Sequence, residues 1–427
     1  VPYEVRAGPG DSLYELRRGH RLHERHFAQK PQPVPGTSKI DRRITKRQTP
    51  YKGSAAIFQV FRRMRRGRCP LAPLGTVEFA QNFRKNDFQV EQPYRNFLMQ
   101  SVSQNPVFRQ LMGVKYLISS QNIPGYEKKW MTGGGDVYCD ENAAPIAYET
   151  DQTMSEAEYD RLDFPYNQLV FTRYAVTKDG TVSAGQVKEK LAEDIEKCDF
   201  RIPEKNNGIS LVVPTENGYQ VKMKKEQEFE VAVSEQEEKD GVLFVQFRIE
   251  NKKPKEDIEI SLEGERNKLS SIQHVYYNRN TVFTYAVGLE KGQKTVRLSL
   301  GKGEYTIKDM SAYNGVLNED TGLYQSVFRV DKEQTKGNLI QGRIKSQKDG
   351  MFITSIPFDK GFEMTIDGVK VKCEKVNKAF LGFHLEAGKH KIRILYHAPG
   401  VTAGKILTGL GVLIVIAGAV RKKKCAK

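Results

Sequence analysis

Two groups of residues have the types and spacing that could bind an ion. His20, His23 and His26 recur at every third position and could meet on one helix face, where imidazoles bind divalent metals. They have no obvious carboxylate or cysteine partner. The glycine-rich stretch Thr132–Asp136 lacks the Lys-Ser/Thr of a phosphate-binding loop and is not expected to open a helix. The sequence therefore predicts no metal site and no cofactor site, and a plain loop at Thr132–Asp136.

Residue spacing reveals no recognisable catalytic constellation. The sequence has no Ser/His/acid order around a nucleophile elbow and no H-E-x-x-H motif. Acidic residues are plentiful, but no pair is singled out for glycoside hydrolysis, which needs two carboxylates brought together in space. The sequence therefore predicts no catalytic residue, and we expect no catalysis by this chain alone.

Aromatic side chains are the third candidate group, because sugar rings stack on aromatic faces. Trp130, Tyr276 and Tyr277 are candidates for glycan contacts, and Asn278 and Asn280 lie close to the two tyrosines in the sequence. The alternative is that a lone tryptophan and neighbouring tyrosines are packing residues, and the sequence favours this alternative.

The elements that would position these residues end in an apolar segment. Ile406–Val420 has no charged side chain and would form a helix of about 22 Å. Extending it to 401–420 gives about 20 residues, enough to cross a hydrocarbon layer. Lys405 could then extend to the headgroups. Four consecutive cations follow: Arg421, Lys422, Lys423 and Lys424. The alternative is a buried core helix.

Cations beside a span are retained on the cytoplasmic side. The sequence therefore predicts a transmembrane helix over 401–420, a cytoplasmic tail over 421–427 and an extracytoplasmic location for the rest. Lys405 and the four cations are the predicted membrane-anchoring residues, and membrane lipid is a predicted partner.

The formal net charge of +16 is concentrated at the two ends of the chain. Residues 1–75 contain 13 Arg and 4 Lys against five acidic residues, and the body from residue 76 to 400 is nearly neutral. Phe61–Pro70, "FRRMRRGRCP", is typical of a nucleic-acid or anionic-lipid patch. Two alternatives are a disordered, solvated segment and a mistranslated frame. An extracytoplasmic, neutral body conflicts with nucleic-acid binding, so no nucleic-acid partner is predicted.

Five cysteines are widely scattered and show no C-x-x-C spacing, which argues against a zinc ribbon and a disulfide framework. They are Cys69, Cys139, Cys198, Cys373 and Cys425.

Hydrophobic periodicity divides the remaining chain. Apolar and polar residues alternate from about Gly208 to Tyr313, with turns every ten to fifteen residues, which is typical of an antiparallel sandwich. Asp367-Gly368 predicts a two-residue hairpin turn. Ser155 followed by Glu158 predicts a helix start. The predicted fold is mainly β with some α: β-sandwich-type domains, a small α/β segment before them and one transmembrane helix. The predicted segments are 1–77, 78–207, 208–313, 314–400, 401–420 and 421–427.

Four stretches, in this order, resemble the bacterial YfhO family of membrane proteins. They are "LMGVKYLIS" (Leu111–Ser119), "YCDENAAPIAY" (Tyr138–Tyr148), "FPYNQLVFTRYAV" (Phe164–Val176) and the segment Ser355–Gly400 with its following span. The resemblance covers roughly residues 80–427. Together these stretches are specific, although any one alone would not be.

The resemblance implies a polytopic protein of Gram-positive and related bacteria, similar in architecture to membrane glycosyltransferases that use lipid-linked sugars. It implies a role in adding sugars to envelope polymers such as lipoteichoic acid. An envelope glycan or teichoic-acid polymer and a polytopic membrane subunit are therefore candidate partners. This sequence departs from the family in having one predicted span, and residues 1–77 match none of it. We therefore expect an extracytoplasmic C-terminal portion from a truncated or frame-disrupted gene. The alternative is an anchored binding or structural module.

Overall fold

The computed structural model describes residues 105–119, 121–132, 135–234, 239–274, 277–316 and 322–425. His20, His23, His26, the Arg-rich segment and Tyr276 lie outside these residues. The predictions made for them are therefore not addressed by the structure.

Short helices and one long helix interrupt a β-rich chain. The helices are α1 Pro106–Leu111, α2 Glu156–Tyr159, α3 Tyr166–Leu169 with the 3-10 turn Val170–Thr172, α4 Ala184–Leu191 and α5 Val401–Cys425. α1 begins at Pro106 because a proline suits the first helical turn, and the Asn105 side chain accepts a hydrogen bond from the Phe108 amide.

The first described sheet is antiparallel and has the strand order β1-β3-β2. Its strands are β1 Tyr116–Ser119, β2 Glu127–Thr132 and β3 Gly135–Cys139. The sequence from Asn105 to Ser120 predicts a short helix that runs into a strand, and α1 and β1 confirm this prediction.

A first sandwich follows, built from a seven-stranded and a four-stranded antiparallel sheet. The larger sheet contains β7 Ile195–Lys197, β8 Lys205–Asn206, β9 Ser210–Thr215, β10 Gly218–Met223, β12 Gly241–Asn251, β15 Val282–Leu289 and β17 Gly303–Gly315. The smaller contains β11 Gln227–Ala232, β13 Ile258–Leu262, β14 Glu265–Leu269 and β16 Thr295–Leu300. Buried side chains of both sheets, including Phe247 and Val296, share one core. The predicted sandwich is confirmed here.

A second sandwich consists of two five-stranded sheets. One contains β4 Ala147–Thr150, β18 Ser326–Val327, β21 Gly350–Pro357, β24 Glu374–Val376 and β25 Phe380–Leu385. The other contains β19 Arg329–Val330, β20 Leu339–Ser346, β22 Phe362–Ile366, β23 Val369–Val371 and β26 Gly388–Tyr396. The Asp367-Gly368 hairpin is confirmed, and both residues have positive φ as this turn requires.

β4 comes from the early α/β segment but lies between β18 and β21 of the second sandwich. The segment predicted at 78–207 therefore contributes a strand, β4, to one sheet of the second sandwich. A parallel pair, β5 Thr153–Ser155 and β6 Ala175–Thr177, continues from it.

The short helices differ from the prediction in two details. Ser155 caps α2 by accepting from the Glu158 amide, but the Glu158 carboxylate accepts from the Ala184 amide and does not return to Ser155. Pro165 interrupts the predicted helical pattern, and the sequence predicts a second helix from Asn167 to Ala175. In the structure this helix ends in the 3-10 turn at Thr172. The chain is extended again by Ala175, which pairs with Thr153.

The short helices share a core with both sandwiches. Phe171 and Val187 pack in one buried cluster with Phe244 of the first sandwich and Phe380 of the second. The two β blocks are therefore joined through the helical segment.

α5 follows β26 after the short connection 397–400. Its side chains are described for residues 401 and 403–417, and the large apolar ones are exposed, including Ile414 and Val415 at 72% each. Among the residues and side chains that the structure describes, no helix reaches the length and hydropathy of a membrane span.

A buried ion pair fixes the end of the 3-10 turn to the chain before β7. Arg173 Nε and Nη2 donate to the two carboxylate oxygens of Asp194 at 2.6 and 2.8 Å, and both residues are buried. Removing one partner of such a pair leaves an uncompensated buried charge, which is strongly destabilising.

We therefore expect Arg173→Ala to lower the free energy of unfolding by ~3–5 kcal/mol, measured by urea denaturation followed by circular dichroism. The matched control is Arg201→Ala, which removes the exposed pair with Asp199 and is expected to cost less than ~1 kcal/mol. Equal effects of the two substitutions would contradict this role of the buried pair.

Candidate functional site

The three-stranded sheet has an inner and an outer face, which its register defines. Leu117 and Tyr138 are cross-strand partners on the inner face, where they pack with Ile123 and Tyr126. Tyr116 and Cys139 are also cross-strand partners, and they lie on the opposite, outer face of the sheet. The inner face of the same strands packs on a small apolar core.

A β-bulge at Lys129 determines where Trp130 points. The pairing runs from Lys128 opposite Tyr138 directly to Trp130 opposite Val137, so Lys129 is the extra residue of β2. Strict alternation would place Trp130 on the inner face with Lys128. The bulge instead brings Trp130 to the outer face, as bulges commonly re-aim side chains.

Tyr116 and Trp130 form what we call the aromatic platform. Their ring centroids are 6.1 Å apart and their planes are inclined by 47°. Their side chains are 43% and 41% exposed, whereas Val137 and Cys139 beneath them are buried. The platform is therefore a solvent-exposed aromatic surface above buried side chains, and its two rings are inclined to each other.

Four charged residues border the platform, and we call them the ionic rim. Lys115 Nζ lies 2.7 Å from a Glu141 carboxylate oxygen, and Lys129 Nζ lies 2.5 Å from Glu127 and 3.5 Å from Glu141. The hydrogen bond from Lys115 holds the pKa of Glu141 below its usual value, so this carboxylate is charged at neutral pH. The rim therefore offers both donors and acceptors with no net charge.

Ionisable groups are also buried beside the inner face. Arg109 lies 5.5 Å from the centre of the Tyr126 ring, and Glu265 of β14 accepts a hydrogen bond from the Ala286 amide at 3.2 Å. Burial raises the pKa of Glu265 well above its usual value and that of Asp140 to about 6. These groups lie where the three-stranded sheet meets the first sandwich and are enclosed by protein. We therefore regard them as structural.

The side chains of the platform and the ionic rim are suited to binding a ligand. Burial raises the pKa of the Cys139 thiol to about 11, which keeps it protonated and a poor nucleophile. In the part of the chain that the structure describes, no group of three His, Cys, Asp or Glu side chains could hold a metal ion. His390 and Asp367 approach within 2.8 Å, but they also bond the backbone of Glu386 and Lys391 and so fix a hairpin.

The other aromatic candidates are separated from Trp130. Tyr277 is 37% exposed and follows β14 of the first sandwich. Asn278 is buried, accepting from the Ser270 amide and donating to the Lys268 carbonyl, and Asn280 donates to the same carbonyl. The two asparagines therefore hold a loop and are not available to a ligand.

Sequence reasoning found Trp130 but missed Tyr116, Lys129, Glu127 and Glu141. "EKKWMT" shows no alternation that would reveal a bulge, so the platform could not be assembled from the pattern. Of the predicted membrane-anchoring residues, Lys405 lies in α5. The other four belong to the same helix, but their side chains are not described.

Two antiparallel sandwiches with an open aromatic platform define a β-sandwich protein with a candidate binding surface. The model of the family described as "Bacterial membrane protein YfhO" matches residues 80–408. The chain therefore belongs to the YfhO family, which confirms the resemblance seen in the sequence.

One relative is similar in sequence over 73% of this chain. The protein YfhO of Bacillus subtilis (strain 168) is 24% identical over 321 residues, covering 73% of this chain and 36% of the relative. This chain thus spans 36% of that relative's length.

The structure was also compared with solved structures. One structure of arabinofuranosyltransferase AftD from Mycobacteria shows 7% identity and a TM-score of 0.20, covering 71% of this chain and 31% of that one. A cycloisomaltooligosaccharide glucanotransferase of Paenibacillus sp. shows 7% identity and a TM-score of 0.15, covering 48% of this chain and 45% of that one. Similarity at this level carries no argument about function.

Deleting Lys129 tests the assignment of the bulge. Removal of the extra residue restores strict alternation and keeps Trp130 opposite Val137, so Trp130 should remain on the outer face. Because Trp130 is the one tryptophan of the chain, its fluorescence reports its exposure directly. We expect the emission wavelength and the quenching by acrylamide to stay close to those of the native chain and of the control Lys129→Ala, which keeps the residue count. Emission at shorter wavelength with weaker quenching in the deletion variant would show that Trp130 had turned inward and would contradict the assignment of Lys129 as the extra residue.

Asp140 and Glu141 should give opposite pH dependences of stability. Burial raises the folded-state pKa of Asp140 to about 6, well above the usual value of an aspartate. Its stabilising contribution is thus present below about pH 4 and is lost as pH rises through about 6. We expect Asp140→Asn to weaken this loss in urea titrations between these pH values. Glu141→Gln is the matched control, because the lowered pKa of Glu141 gives stability that is lost as pH falls.

Proposed function

We propose that this chain is the extracytoplasmic C-terminal region of a YfhO-type integral membrane protein that takes part in glycosylating a cell-envelope polymer. In this proposal the region holds the polymer, of the lipoteichoic-acid type, near the membrane. A polytopic membrane part outside this chain transfers sugars from a lipid-linked donor. Membership of a bacterial membrane protein family supports the membrane setting.

The observation that carries the proposal is the connection between the second sandwich and α5. β26 ends at Tyr396 and α5 begins at Val401, so the connection 397–400 is short. It contains Pro399, which restricts the backbone. The exposed apolar side chains of α5 are costly in water and favourable in lipid.

In this account residues 401–420 are a membrane span and 421–427 a cytoplasmic tail. Lys405 and the cations Arg421–Lys424 border the span, and the excess of cations after it favours a cytoplasmic end. The second sandwich then stands next to the outer membrane surface.

A second candidate is a membrane-anchored glycan-binding or structural module without enzymatic activity. The aromatic platform favours it, because such a surface can bind a glycan with no transferase present. The two functions predict different sugar contents of the envelope polymer. Deleting the gene in the source bacterium should reduce the sugar content of the polymer under the first function and leave it unchanged under the second.

Membrane orientation is tested by labelling intact cells with a membrane-impermeant thiol reagent. Lys389→Cys, at an exposed position of β26, should gain labelling relative to the native chain without permeabilisation. Native Cys425 should react only after permeabilisation, and this signal should disappear in Cys425→Ser. Labelling of Cys425 in intact cells, or release of the chain from membranes by alkaline carbonate, would contradict the proposal.

A further inference from the structure

We infer that the aromatic platform is a binding subsite for one neutral sugar ring of an envelope glycan, with the ionic rim supplying its hydrogen bonds. The inference rests on the proposed function for the source of the glycan. The site itself is argued from the described residues of the three-stranded sheet.

The shape and polarity of the surface match a sugar ring. A pyranose has apolar C–H faces and hydroxyl groups around its edge, so it needs an aromatic floor with polar groups beside it. Tyr116 and Trp130 supply two exposed ring faces inclined by 47°. The carboxylates of Glu127 and Glu141 and the ammonium of Lys129 lie at the border. A C–H face can therefore stack on either ring while the hydroxyls reach charged donors and acceptors.

The same surface does not suit an aliphatic chain or an apolar helix. The residues below the platform, Val137 and Cys139, are buried, so there is no groove into which an acyl chain could enter. An apolar helix would also have to cover the ionic rim and remove its charges from water, which is costly.

The charge of the rim selects a neutral ligand. Each of its cations lies within salt-bridge distance of a carboxylate: Lys115 contacts Glu141, and Lys129 contacts both Glu127 and Glu141. Two positive and two negative groups give no net attraction for a polyanion. The platform should therefore take the neutral sugar substituent of an envelope polymer and not its phosphodiester backbone.

The site is largely preorganised, which limits the entropy lost on binding. The bulge at Lys129 fixes Trp130 on the outer face, and the buried stem of Lys115 reaches Glu141. Only the exposed edges of the two rings and the rim side chains remain to be ordered.

The test is a titration of the full chain with neutral gluco- and N-acetylgluco-configured oligosaccharides, followed by calorimetry and by Trp130 fluorescence. We expect saturable binding that shifts the emission and is insensitive to salt. Trp130→Ala should weaken binding at least about tenfold, a factor that corresponds to ~1.4 kcal/mol. Trp130→Phe, which keeps a ring, should retain most of the affinity. Tyr116→Ala provides an independent variant should Trp130→Ala fail to fold.

The matched control is Tyr277→Ala, which removes a similarly exposed ring from the first sandwich and should bind as the native chain does. Three results would overturn the inference: no binding of these saccharides, equal losses in Tyr277→Ala and Trp130→Ala, or preferential, salt-sensitive binding of poly(glycerol phosphate). Cell-surface labelling is independent of these titrations. Failure of sugar binding with correct membrane orientation therefore rejects the subsite alone, and sugar binding with the opposite orientation rejects the proposed function.

Discussion

The packing of the short helices against both sandwiches is the constraint on which the rest of the structure depends. Val187 of α4 and Phe171 of the 3-10 turn lie in a buried cluster with side chains of both sandwiches, and the same cluster includes Val107 of α1. α1 leads directly into β1, so this core also locates the three-stranded sheet. Because the second sandwich is followed by α5, this shared core relates α1, and the sheet that follows it, to the end of the chain proposed to enter the membrane.

The single extra residue Lys129 determines which face of the three-stranded sheet carries Trp130. Strict alternation would place Trp130 on the face that carries Tyr138, and the bulge at Lys129 places it on the opposite face next to Tyr116. A large aromatic side chain left in water contributes little to stability there, since the favourable term is the area removed from water. A binding role gives its exposure a physical reason, and the neutral rim restricts the ligand that such a role would involve.

The sequence indicated local elements well and tertiary relations poorly. The Asp367-Gly368 turn and the alternation of the first sandwich follow from local backbone chemistry, and both were predictable. The placement of β4 in the C-terminal sheet was not, because pairing between distant segments leaves no local pattern. Trp130 was recognised as a candidate by its residue type. Its partner Tyr116 could not be, because their proximity depends on the bulge and on the order of strands in the sheet.

In the proposed function this region holds a glycan at the platform on the outer face of the membrane. This binding is tested most directly by replacing Tyr116 with the photoreactive residue p-benzoylphenylalanine and irradiating intact cells. The account predicts a crosslink to a sugar-bearing envelope polymer, with the adduct removed by glycosidase treatment and absent when Trp130 is also changed to alanine. A crosslink to protein or lipid alone would contradict it.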